Sequence, residues 1–129
     1  MRVISIAAAG SVLFLAGTVH ADALKPIKPI DSCALKTGDQ QIACLTTRLN
    51  AANQSLDTTI AAIRSHFPAG ASYAASFDLS HDAWVKEAIQ TCRAAAMARS
   101  EDTGGAFDLR CRIGMTTARE QLLKTLYAG

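Results

Sequence analysis

The chain has 129 residues, a formal net charge of +2 and a hydrophobic fraction of 50%. That length holds one domain near the small end of what buries a self-sufficient core. No Lys/Arg run and no stripe of basic and aromatic residues is present, which argues against nucleic acid as a partner.

Met1-Arg2, the apolar run from Val3 to Val19 and the small-residue ending Val19-His20-Ala21 read as an export signal over residues 1–21, cleaved after Ala21. Gly10, Gly17 and Thr18 interrupt the run, which makes it marginal for spanning a bilayer. The first cysteine downstream is Cys33, too far away for lipid attachment of the bacterial lipoprotein kind. A periplasmic or secreted product without a stable membrane anchor is therefore expected.

Residues 22–36, with Pro26 and Pro29 between lysines, read as an extended N-terminal arm, and residues 37–129 as a helical domain to which Cys33 is stapled. Thr37 and Gln40 have capping-box spacing ahead of an apolar series at Ile42, Leu45, Leu49, Ala52, Leu56, Ile60 and Ile63. This first helix stops at Phe67-Pro68. The second starts between Ser72 and Ser76, with Phe77, His81, Trp84, Ala88, Cys92 and Ala95 on one face, and ends before Ser100. The third starts near Ala106, and its apolar face is Phe107, Cys111, Met115, Ala118, Leu122 and Leu126. The fold class is all-α, a three-helix antiparallel bundle with a long helical hairpin.

Four cysteines beyond an export signal imply an oxidised framework with three conceivable pairings. A hairpin turning near Asp102 brings Cys92 beside Cys111. A reversal through Thr37-Gly38-Asp39 returns Cys33 to Cys44. This arrangement is favoured over the two crossed pairings, which spacing leaves open, and each bridge contributes about 2–4 kcal/mol.

The same cysteines are too widely separated for a zinc site, and His66 and His81 are the only histidines beyond the signal, so no metal or cofactor is expected. Ser80-His81-Asp82 resembles a triad in letters, yet helical neighbours point about 100° apart. No convergent nucleophile, base and oxyanion donor can be assembled, and an enzyme is not expected. Asp82 with Lys86, Asp108 with Arg112 and Glu120 with Lys124 have the spacing of exposed helix pairs. Trp84 is read as a core residue, and Arg119 as snorkelling or bonding carbonyls of a neighbouring helix.

Cys33 with Cys44, Leu49-Asn50, Trp84 eight residues before Cys92, and Cys111 followed by Thr116, Arg119 and Leu122 together resemble the lysozyme-inhibitor LprI-like N-terminal domain family. The resemblance covers Cys33 to Tyr127. The family commonly carries a tyrosine and an arginine where this chain has Asn53 and Ala88. The resemblance implies a periplasmic binding protein that blocks lysozyme or another peptidoglycan hydrolase; the alternative is an immunity-type or general envelope interaction protein without lysozyme activity. Candidate partner contacts lie in the connections, at Tyr73 in Pro68 to Ala75 and at Glu101 and Asp102 in Ser100 to Gly105, although the favoured reading of both is an ordinary link between helices. The helical stripes leave the oligomeric state open.

The mature protein is expected to begin at Asp22, which intact-mass measurement of the exported product checks. A product retaining Met1 contradicts the signal assignment.

Overall fold

The computed structural model describes residues 31–127. The expected signal at residues 1–21 and residues 22–30 of the arm lie outside that range. Three helices follow one another: α1 is Gly38–Ser65, α2 is Ser72–Ala98 and α3 is Ala106–Tyr127, and no strand occurs among the described residues. The all-helical expectation and the three helix boundaries agree with this layout.

The beginning of the domain differs in detail from the expectation. Ser32–Leu35 forms a short 3-10 turn rather than extended chain, because Asp31 accepts a hydrogen bond from the Cys33 amide at 3.0 Å. Thr37 occupies the N-cap of α1 but its side chain makes no capping bond. Gln41 ties the entry instead, donating to the Lys36 carbonyl at 2.9 Å and the Cys33 carbonyl at 3.3 Å. Asp31 also pairs with Arg48 of α1 and lies 3.7 Å from Arg110 of α3, so the turn touches both helices.

Both favoured disulfides are present. Cys33–Cys44 and Cys92–Cys111 have Cα separations of 5.7 and 5.6 Å. All four cysteines are consumed, consistent with an oxidising compartment. No helix among the described residues is long and apolar enough to cross a membrane.

Helix α3 packs on both α1 and α2. Its contacts with α1 climb in step: Asn53 meets Thr116, and Ser55 and Thr59 meet Glu120. Those with α2 run in opposite order, from Cys92–Cys111 through Trp84–Arg119 to Phe77–Tyr127. Two apolar clusters result. One gathers Cys33, Leu45, Leu49 and Leu109 near the first disulfide. The other gathers Leu56, Ile60, Ile63, Phe77 and Leu123, with Phe67 and Trp84 against it.

The stripes expected for α1 and α2 largely match the buried faces, but that for α3 does so only in its first half, where Phe107, Cys111 and Met115 are half-buried against α2. Buried on α3 are Asp108, Leu109, Thr116, Glu120 and Leu123. Leu122 and Leu126, expected on the packed face, are 48% and 65% exposed. The physical reason is that α1 supplies hydrogen-bond partners for the polar face. Ser55 Oγ donates to Glu120 Oε1 at 2.8 Å, Thr59 reaches the same oxygen at 3.4 Å, and Lys124 closes the set. Glu120 and Lys124 form the expected four-residue pair, but Glu120 is buried rather than solvated. Asp108 leaves Arg112 and instead accepts from the Gly104 amide at 2.8 Å, satisfying backbone at the start of α3.

Leu123→Ala is expected to destabilise the protein by about 2–5 kcal/mol, whereas Leu122→Ala shifts stability by about 0.5 kcal/mol or less. Denaturant unfolding of both variants checks this; equal losses contradict the assigned face.

Candidate functional site

Trp84 is half-buried, with different partners from α2 and α3. His81, one helical turn earlier on α2, stacks on it with ring centroids 6.0 Å apart and planes inclined by 19°. From α3, the Arg119 guanidinium lies over the indole 5.6 Å from its centroid. A cation over an aromatic ring is attracted by the ring quadrupole, so Arg119 is held by Trp84. Of the two roles expected for Arg119, snorkelling or bonding carbonyls, the second is not seen at Nε, which is buried without a hydrogen-bond partner. Trp84 packs against the second apolar cluster, as expected of a core residue, while also lining a cleft.

That cleft has a volume of ≈ 270 Å³ and runs between α1 and α2. Leu49, Leu56 and Ala88 give it apolar walls, and Asn53, Asp57 and Arg112 bring polar groups. Asn53 accepts a hydrogen bond from Thr116 at 3.3 Å.

His81 Nδ1 is buried and has no hydrogen-bond partner, so neither Ser80 nor Asp82 bonds that nitrogen. Burial, then the nearby Arg119 charge, holds the imidazole below its ordinary pKa; Asp82 and Asp57 oppose this more weakly, and Arg64 adds to it. The cause is the cost of charging a desolvated ring beside a cation.

The opposite end of the domain from the Asp31 turn is aromatic. Phe67 meets Tyr73, Phe77 and Tyr127 edge-to-face at centroid distances of 5.4, 5.5 and 6.3 Å, and Phe77 meets Tyr127 at 5.7 Å. Such geometry lets the positive edge of one ring contact the negative face of another. Tyr73 and Tyr127 remain 51% and 47% exposed. Arg64 Nε donates to Asp78 at 2.6 Å, joining the end of α1 to the start of α2 beside this cluster.

Tyr73 is thus an exposed aromatic anchored on Phe67. Glu101 and Asp102 are exposed too, but their backbones have a structural task. The Glu101 amide donates to the Ala96 carbonyl at 2.9 Å and the Ser100 amide to Met97 at 3.0 Å, a Schellman closure with Ser100 at φ 56°. The Asp102 carbonyl accepts from Gly105 at 2.9 Å. A Cβ at Gly105 would stand 2.9 Å from that oxygen, which requires glycine.

Of the motif residues, Leu49 and Thr116 are buried, Trp84 and Arg119 form the cation–aromatic pair, and Asn50 and Leu122 face solvent. Sequence reasoning missed the cluster of Phe67, Phe77 and Tyr127, although the concentration of Phe67, Tyr73 and Phe77 around Pro68 was its available signal. Among the described residues, no group of three or more His, Cys, Asp or Glu side chains is arranged to hold a metal ion. The chain matches no protein-family model, no curated protein and no solved structure.

The lowered His81 pKa gives pH dependence with a defined sign. As pH falls, the unfolded chain takes the proton first, so this contribution is full above about pH 6.5 and declines as pH drops through that value toward the lowered folded pKa. Melting temperature is expected to fall between about pH 8 and about pH 5, with a shallower fall for His81→Gln. An identical slope in the variant contradicts the assignment.

Proposed function

We propose that this chain is an exported, non-enzymatic binding domain that engages a protein partner through its aromatic end. The observation that carries this reading is the exposure of Tyr73, Leu126 and Tyr127, at 51, 65 and 47%, around Phe67. Aromatic side chains offer large contact area with few rotatable bonds, which favours them at interface centres. The scaffold is read as an antiparallel three-helix bundle, released by cleavage near Ala21 into the periplasm or medium. Disulfides at the two ends of the Cys33–Cys44 and Cys92–Cys111 loops hold it in shape.

Lysozyme or another peptidoglycan hydrolase is the partner class that the family resemblance supplies. Acidic and basic side chains are equal in number over residues 31–127, so apolar contact rather than charge steering leads the association. Glu101 and Asp102, being part of a closed connection, are secondary to Tyr73 in this reading.

Oxidised mature protein is expected to slow lysozyme-catalysed wall lysis in a concentration-dependent way. Joint replacement Tyr73→Ala and Leu126→Ala weakens the effect by about tenfold or more with little change in melting temperature. Neither inhibition nor binding by the oxidised protein contradicts lysozyme as partner; full inhibition by the double variant contradicts the aromatic end as the face.

A further inference from the structure

A hollow of ≈ 440 Å³ opens between α2 and α3 at the aromatic end, within the size range of small-molecule sites. Phe67, Phe77, Leu126 and Tyr127 give it apolar walls, and Ser76 and Ser80 line it from α2. Among the described residues that line it, Arg119 alone carries a formal charge.

The state of that arginine defines the ligand. Among the described residues, no carboxylate lies within ion-pair distance of it. Its sequence neighbour Glu120 is already engaged by Ser55 and Lys124. Arg119 Nε is buried without a partner, and the Trp84 ring keeps the guanidinium at the helix interface. An apolar trough with a single unpaired cation complements an apolar body bearing one negative charge. A guanidinium fork matches a carboxylate, and among the described residues no second cation lines the hollow to neutralise a dianion.

We propose that this hollow binds a small monocarboxylate with an aliphatic tail, the chemistry of a medium-chain fatty acid. The carboxylate sits on Arg119 and the tail lies along Phe77, Leu126 and Tyr127. The site shares Leu126 and Tyr127 with the face proposed for a protein partner, and the octanoate–octanol comparison at Arg119, which that face does not use, tests it separately.

Trp84 is the sole tryptophan and contacts Arg119, so its emission reports on the site. Titration of the oxidised protein with hexanoate, octanoate and decanoate is expected to give a saturable change, with affinity rising roughly fourfold per methylene. 1-Octanol, with the same tail as octanoate and no charge, binds about tenfold more weakly or worse. Calorimetric titration of Arg119→Gln shows no preference of octanoate over octanol. Leu126→Ala, at a position 65% exposed and therefore tolerant of truncation, weakens both ligands by roughly fivefold. Equal binding of octanoate and octanol, a preference retained in Arg119→Gln, unchanged affinity in Leu126→Ala, or no saturable response would each overturn the proposal.

Discussion

A hydrogen-bonded layer between α1 and α3 decides which side of α3 enters the core. Asn53 receives the Thr116 hydroxyl, and Ser55 and Thr59 converge on Glu120, which Lys124 also holds. A buried carboxylate without such partners would cost several kcal/mol, on the order of the whole stability margin of a small domain. Rotating α3 to bury Leu122 and Leu126 would break the three bonds that cross to α1, from Asn53, Ser55 and Thr59. The layer therefore sets register, a role for which buried polar groups have the clearest precedent.

The consequences reach both ends of the molecule. Toward the start of α1, Leu109 is directed to Leu45 and Leu49, and Arg110 comes near Asp31. Toward its end, Leu123 enters the cluster of Leu56, Ile60 and Ile63, and Tyr127 meets Phe67 and Phe77. With that face committed to α1, Arg119 is left toward α2, where Trp84 receives it. Leu126 is correspondingly left exposed beside the hollow. The apolar end and its unpaired cation are thus products of the same choice of face.

Much of the architecture was legible in the residue pattern. Apolar spacing from Leu45 to Ile63 and from Phe77 to Cys92 placed two helices and their buried faces, because there the apolar residues themselves form the contact. The disulfides were legible since the turn near Asp102 lies midway between Cys92 and Cys111. Helix α3 was misread for a physical reason. Its buried Thr116 and Glu120 bond side chains more than sixty positions away, so periodicity within α3 favours a more apolar face whose second half, Ala118, Leu122 and Leu126, is exposed. Trp84 and Arg119 stood out individually, but their stacking depends on that same rotation of α3.

The most direct test is the carboxyl-carbon NMR titration of Glu120 in the folded protein. Hydrogen bonds from Lys124 and then Ser55 hold this carboxylate below its ordinary value of 4.5, despite burial acting in the other direction. The account predicts a midpoint below 4.5 that rises in Ser55→Ala. A midpoint at or above 4.5, indifferent to Ser55, would show that α3 is not held on α1 by this layer.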